Sequence, residues 1–342
     1  MLTLLASIAI FALLIFFHEL GHFLVAKRAG IGVIEFAIGF GPRLTSFQSG
    51  ETVYSIRAFP LGGFVRLVGE DPEESDEEGS FQQHSVWSRF ATIAAGPIMN
   101  FILAILLFSL IYFAFLGVPL LDSTQIGEIL PEGPAAEAGM MAEDEIISIA
   151  GQEVQDWSEL VSIIHAHPEQ EIDIRFERDG EIRSVSVVPE RDPATGEGRI
   201  GIQSQTKLYA PFASLRLGVA HTAWFLRFIA VSIVQMLSGQ VTPDVVGPVG
   251  IIQIVGEVAR SGVVMDLLSL AAIISLNLGF LNLLPIPALD GSRLMFLAIE
   301  GVRGRPVDPQ KESFIHFVGF TVLILLMILI AYRDLVRLNI FN

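Results

Sequence analysis

His18-Glu19-Leu20-Gly21-His22 brings two imidazoles and a carboxylate together within five residues. On a helix, positions four apart differ by about 40° around the axis and about 6 Å along it. Both imidazoles can therefore reach one ion, with Glu19 beside them. The pattern is the H-E-x-x-H signature of zinc hydrolysis, in which the glutamate serves as general base. Zinc held in this way takes a third protein ligand and keeps its fourth position for water. The metal lowers that water's pKa to about 7, so a neighbouring carboxylate can accept its proton. The pentapeptide also occurs by chance in soluble helices. Here it lies inside the apolar stretch Leu2–Ala26, where each ionisable residue costs at least about 2.5–3.5 kcal/mol by insertion scales. Three such residues together point to a metal, with His18 and His22 as ligands and Glu19 as the acid/base.

The third ligand should be a carboxylate or imidazole at the same membrane depth. Asp290 closes another apolar stretch and is the sole acidic residue between Leu267 and Ala298. It follows Asn282-Leu283-Leu284-Pro285-Ile286-Pro287-Ala288-Leu289, where two prolines remove backbone donors and break a helix. Broken helices at membrane depth occur where they line a cavity. The alternative is that Asp290 only caps the helix that follows.

The rest of the chain must hold these residues in a bilayer. Of its 342 residues, 52% are hydrophobic and 17% charged, and the apolar ones are clumped rather than periodic. A hydrocarbon core about 30 Å thick needs about 20 apolar helical residues. Leu2–Ala26, Ile93–Val118, Leu267–Leu289 and Phe314–Tyr332 meet that test. The first lacks a basic leader and exceeds the ~7–15-residue core of a signal peptide, so it is expected to be retained. Cysteine is absent, which excludes disulfides, thiolate ligands and a cysteine nucleophile. No basic patch interleaves with aromatics, so nucleic acid is not an expected partner. Much of the net charge of −16 comes from the acidic run Glu70–Glu78, read as a solvated loop.

The expected layout is a first span over 1–28 and a second over 93–118, with 29–92 between them. Val33–Ile38, Arg43–Phe47 and Thr52–Val68 alternate like strands and are broken by glycines, which predicts a β-hairpin or small sheet. Phe81–Ile93 reads as a helix lying in the membrane interface. Residues 119–205 form a water-facing α+β domain, with strands at Ile126–Leu130, Glu145–Ala150, Glu171–Glu177, Ile182–Val188 and Arg199–Gln203. Its helices fall at Pro134–Ala138 and Trp157–Ala166. A linker covers 206–264, a third span 265–300 and a fourth 312–335. Leu217–Leu237 is apolar enough for a further span but carries His221, Arg227 and Gln235. A fifth crossing there would put the soluble domain inside or separate His22 from Asp290, so this segment is expected to be interfacial or packed on the bundle. Lys27, Arg28, Arg43, Arg57, Arg66, Arg89, Arg303, Arg305 and Lys311 then cluster on the cytoplasmic side, as the positive-inside rule expects.

HELGH at 18–22, GPIMN at 96–100 and NLLPIPALDG at 282–291, each in its own span, resemble the site-2 protease family of RseP-type bacterial intramembrane zinc metalloproteases. The likeness extends to IGFGP at 38–42, PLGGFV at 60–65 and GEILPEGPAAEAG at 127–139, the last PDZ-like. The resemblance implies a membrane α-helical fold with four transmembrane helices, a membrane-associated β-hairpin and one inserted extracytoplasmic PDZ domain. It implies a multi-pass bacterial cell-membrane protein that cuts single-span substrates in regulated intramembrane proteolysis, among them anti-sigma factors or remnant signal peptides. It assigns Zn2+ to His18, His22 and Asp290, catalysis to Glu19, and the substrate backbone to Asn282. Gly62, Gly63 and Pro287 are expected near the substrate, and Asn100 against the catalytic helix. Three departures stand out: a single PDZ domain, a turn reading Met141-Ala142-Glu143-Asp144, and Gly291-Ser292-Arg293 after the third ligand.

A transmembrane helix must unwind before it is cut, and pairing the unwound segment to a β-edge recovers its hydrogen bonds. In the PDZ domain, Ile200, Gly201 and Ile202 are expected to line the ligand groove. The domain could recruit a trimmed C-terminus or exclude bulky substrates by size, and the size filter is the preferred expectation. Two other classes fit part of the pattern: a metal transporter, which would need neither Glu19 nor a PDZ domain, and an inactive zinc-containing PDZ scaffold.

Overall fold

The computed structural model describes residues 2–70, 77–193, 195–241 and 247–337, so most of the acidic run lies outside the described residues. In chain order the helix α1 (Leu2–Ala29) is followed by β1 (Val33–Ser49), β2 (Thr52–Leu67) and α2 (Val86–Ala114). Then come β3 (Gly117–Pro119), β4 (Ile126–Ile129), α3 (Pro134–Glu137), β5 (Glu145–Ile149), β6 (Gln152–Glu153) and α4 (Trp157–His165). They are followed by β7 (Ile172–Arg178), β8 (Glu181–Val187), β9 (Glu190–Arg191), β10 (Gly198–Arg199), β11 (Ile202–Ser204) and β12 (Thr206–Leu208). The chain ends with α5 (Pro211–Leu237), α6 (Pro248–Ser261), α7 (Val264–Leu283), α8 (Asp290–Arg303) and α9 (Pro309–Arg337). These elements form two compact units, Tyr112–Ala210 and the remainder.

The larger unit is a helical bundle. Among the described residues, α1, α2, α5, α7 and α9 are each long and apolar enough to cross a membrane. Small residues bring backbones together, as at membrane helix interfaces generally. Any side chain at Gly21 would overlap the Ala95 carbonyl, and one at Gly279 would press on the Pro97 carbonyl and Phe101. An apolar core accompanies these crossings: Leu14, Leu103, Ala104, Phe108, Val255, Ala272 and Leu276 are all buried. His22 meets Thr92 and His18 meets Asn100, so α1 and α2 run antiparallel. Ser275 on α7 donates to the Asn100 carbonyl at 2.8 Å, which fixes the third helix against the second.

The expected helix at Phe81–Ile93 is corrected. Only a 3-10 turn forms at Phe81–Gln83, and Val86 opens the continuous helix α2. The expected third span over 265–300 is likewise two helices, α7 and α8, with the chain bent between Leu284 and Leu289. Pro285 and Pro287 withdraw donors there. Gly291 makes the bend possible, because a Cβ at that position would overlap the Leu283 and Leu284 carbonyls.

The expected hairpin is a folded one. Residues 33–38 lie between two segments of β2: Glu35 is opposite both Val53 and Arg66, and Ile38 opposite both Ile56 and Gly63. The sheet order is therefore 43–49, 52–57, 33–38, 63–67, and 63–67 is an edge. Glu35 is buried at its centre and is held by Arg43 at 2.6 Å, Arg57 at 2.8 Å and the Ser55 hydroxyl at 2.6 Å. Burial alone would raise the Glu35 pKa, but the hydrogen bonds from Arg43, Ser55 and Arg57 outweigh it and hold the carboxyl at about 2.

The smaller unit is the expected α+β domain. Its four-stranded sheet has the order β6-β5-β7-β8, and β4–β11, β9–β10 and β3–β12 are separate pairs. Period-2 alternation places Ile172, Ile174 and Phe176 in its core with Ile146, Ile149 and Leu160. Asp156 caps α4 by accepting from the Glu159 N–H at 2.8 Å. The strand expected at Arg199–Gln203 is interrupted at Gly201, whose φ of +79° ends β10 before β11 begins. The unusual turn closes well. Glu143 takes the left-handed φ of +73°, while buried Asp144 accepts from the Met141 N–H and pairs with Arg178 at 2.6 Å.

Candidate metal centre

His18 and His22 project from adjacent turns of α1, with their Nε2 atoms 3.2 Å apart. Asp290, the first residue of α8, places Oδ2 3.2 Å from His18 Nε2 and 3.5 Å from His22 Nε2. Among the described residues this is the one cluster of His, Cys, Asp or Glu ligands fit for a metal, with its ligand atoms within 4.8 Å of one another. Asp290 Oδ2 is buried and has no hydrogen-bond donor, which is costly for a carboxylate unless a cation completes it. Two imidazole nitrogens and a carboxylate oxygen converging on one point match a zinc site with an open fourth position. Asp290 therefore does more than cap a helix.

The histidine tautomers are set from behind. His22 Nδ1–H donates to the Thr92 carbonyl at 2.9 Å, leaving Nε2 free for a metal. His18 Nδ1 lies 3.1 Å from the Asn100 side-chain amide. The Asn100 oxygen is otherwise buried without a partner. Turning the amide by 180°, an equivalent assignment of its two ends, puts that oxygen on His18 Nδ1–H and frees Nε2 here too. Asn100 thus does more than pack against α1: its side-chain amide meets the His18 ring. Gly96 opens the space for both rings, because a Cβ there would overlap His22 Nε2 and lie 2.9 Å from His18 Cε1.

Glu19 faces the sheet edge. A Cβ at Gly63 would lie 3.2 Å from Glu19 Cγ and 2.9 Å from Ile15 Cγ2. Gly62 has a φ of +141° and its missing side chain makes room for the Phe40 ring. The close approach these glycines permit is to the protein's own helix and sheet. Asn282 is buried in the last turn of α7, and Pro287 packs on Gly319 of α9. In the other unit, Ile200, Gly201 and Ile202 line a groove of about 830 Å³ with Leu160 and Ile164 of α4. Glu143 and Asp144 are not among its walls.

The sequence pointed to the ligands but missed several supports. Gly96 sits in a motif already singled out, and its role follows only once α1 and α2 are placed together. Thr92 acts through its backbone carbonyl, which no residue type signals. His316, on α9, bonds the Ala288 N–H and gave no sign in its apolar surroundings.

A family model described as Peptidase family M50 matches residues 6–326. The chain belongs to peptidase family M50. The zinc metalloprotease RasP of Geobacillus kaustophilus is 38% identical over 97% of this chain and 97% of its own length. The regulator of sigma-W protease RasP of Bacillus subtilis is 36% identical over 98% and 99%. The probable protease eep of Enterococcus faecalis is 31% identical over 98% and 99%. The Geobacillus alignment runs over 414 positions against 342 residues in this chain, so that relative carries segments this chain lacks. Among solved structures, the PDZ domain of an SdrC-like protein from Listeria monocytogenes matches 24% of this chain and 85% of its own, at 21% identity and a TM-score of 0.22. In this M50 peptidase two members of the cluster, His18 and His22, lie inside the apolar helix α1, and Asp290 joins them from the start of α8.

Proposed function

We propose that this chain is a zinc endopeptidase that cuts membrane-spanning segments of single-span proteins within the bilayer. The observation that carries it is the convergence of Asp290 from α8 on His18 and His22, which lie with Glu19 in the apolar helix α1. Zinc, when bound, supplies a Lewis acid and acidifies the attacking water. His18, His22 and Asp290 hold the metal, and Glu19 takes the water's proton and returns it to the leaving amide nitrogen. The edge 63–67 beside Glu19 supports strand addition of an unwound substrate, and Asn282 holds the substrate backbone. One relative is named a regulator of sigma-W protease. On that likeness, anti-sigma-type membrane proteins and remnant signal peptides are the substrate classes. The reconstituted chain should cut a single-span substrate inside its membrane segment, stop on treatment with a zinc chelator and resume when zinc is restored. Cleavage indifferent to chelation would overturn the assignment.

Four crossings, with α5 lying along the bundle, account best for the packing. Gly218 near the start of α5 packs on Ser109, and His221 stacks on Phe108 with ring centroids 4.2 Å apart, both partners lying toward the C-terminal end of α2. α6 lies at that same end. Its Gly250 N–H donates to Asp334 near the end of α9, and its Gly256 packs on Thr3 near the start of α1. The 27 residues of α5 extend about 40 Å. Backbone turn hydrogen bonds continue to Gln240, and the seven residues from there to Gly247 span at most about 25 Å. That is too short to bring the chain back along an upright α5. Reporters fused near Gly50 and after Gly304 should read cytoplasmic, and those near Gly196 and after Gly239 extracytoplasmic. A cytoplasmic reading after Gly239 would contradict four crossings.

A recruiting role for the PDZ domain gains support over the size filter. Its groove is open, with Leu160, Ile164, Ile200 and Ile202 along it, and the departing Glu143–Asp144 turn stands outside that groove.

A further inference from the structure

We propose that His316 is a positioning residue that holds the loop carrying Asp290 in its metal-binding conformation, an inference that rests on the zinc reading above. Between α7 and α8 the backbone has few donors to place. Pro285 and Pro287 have none. The Leu284, Ile286 and Leu289 N–H groups are taken by the carbonyls of Leu281, Leu284 and Ile286. That leaves the Ala288 N–H, whose acceptor is His316 Nδ1 on α9 at 3.1 Å. Ala288 is at the surface of the structure, and one side chain from another helix supplies this pairing.

The residue so held is itself strained. Ala288 has a φ of +74°, a left-handed conformation that a residue with a Cβ adopts only when its surroundings impose it. Asp290 follows two residues later. One turn beyond His316, Gly319 has no side chain to collide with Pro287, so α9 grips the loop at two successive residues. The His316 ring is fixed in turn, edge-on to Phe296 of α8 with centroids 5.8 Å apart. Accepting at Nδ1 makes this a neutral imidazole with its proton on Nε2. That atom is buried without a hydrogen-bond partner, and its nearest acid is Glu312, with Oε1 at 3.8 Å. The ring is therefore oriented by its bond to Ala288 and its packing on Phe296.

Two substitutions separate the acceptor from the packing. His316→Leu keeps apolar volume against Phe296 and loses the acceptor. His316→Asn loses the ring and keeps an oxygen where Nδ1 stood. In the purified full-length protein, His316→Leu should weaken zinc binding, measured by chelator competition, by about 10–100-fold, the range for residues that orient metal ligands. Cleavage should fall with it, and His316→Asn should recover most of both. If His316→Leu does not purify folded, His316→Met makes the same test. Wild-type zinc affinity in the apolar variant, or equal loss in the Asn variant, would overturn the proposal. Asp290→Ala in the same series keeps the two readings apart. If it retains zinc, the metal centre itself is misassigned; if it loses zinc while His316→Leu does not, only the role of His316 falls.

Discussion

Replacing Glu19 with Gln should leave one bound zinc per chain and lower intramembrane cleavage by about 10²–10⁴-fold, the usual contribution of a positioned acid/base. Glutamine matches glutamate in size but cannot accept a proton from water. Glu19 is not one of the three converging ligand residues, so the metal should stay. Its position against Gly63 is a packing environment the amide can share, so the fold should survive. Zinc analysis and a cleavage time course on the same preparation check both halves. Cleavage within tenfold of wild type would remove Glu19 from the chemistry. Loss of zinc would instead make it part of the metal site. The same variant discriminates the competing classes, because an inactive scaffold would show no cleavage to lose and a transporter would not require this carboxylate for passage.

The second large effect is expected at Gly96→Val, which changes no ligand and no acid. A branched side chain there must enter the space of the His22 Nε2 and the His18 Cε1. Neither ring can retreat freely, since His22 is tied to the Thr92 carbonyl and His18 to Asn100. α1 and α2 would have to separate, against the contact of Gly21 with the Ala95 carbonyl. Zinc affinity and cleavage should both fall, by at least the ~10–100-fold of a lost orienting contact. Far-UV circular dichroism should stay helical, which separates this effect from unfolding. Wild-type zinc binding in Gly96→Val would show that α1 and α2 are not packed as described.

The legible part of the site was the part with a local period. His18 and His22 could be paired because a helix fixes what lies four residues away, and the apolar setting removed the chance reading. Asp290 could be joined to them because two membrane-crossing stretches share a depth scale, so a long-range contact became an argument about one dimension. The prolines announced the break between α7 and α8, and a helix starting at Asp290 was among the readings it allowed. Where the reading failed, the signal was tertiary. Nothing in Phe81–Ile93 shows that α2 absorbs most of it, because the same apolar residues suit an interface or a buried helix end. The sheet folds residues 33–38 between two parts of β2, a pairing that alternation alone does not encode. Glu143 looked like a damaged turn, yet Asp144 and Arg178 supply the closure that a glycine would have eased.

The central claim is that His18, His22 and Asp290 hold one zinc ion for proteolysis. X-ray absorption at the zinc edge, on the purified full-length protein, tests it most directly. The spectrum should show one zinc per chain with nitrogen and oxygen ligands, including two imidazoles, and no sulfur. The signal should persist in Glu19→Gln and vanish in Asp290→Ala and in His22→Ala. A metal-free active protein, or a zinc signal that survives loss of both Asp290 and His22, would contradict it.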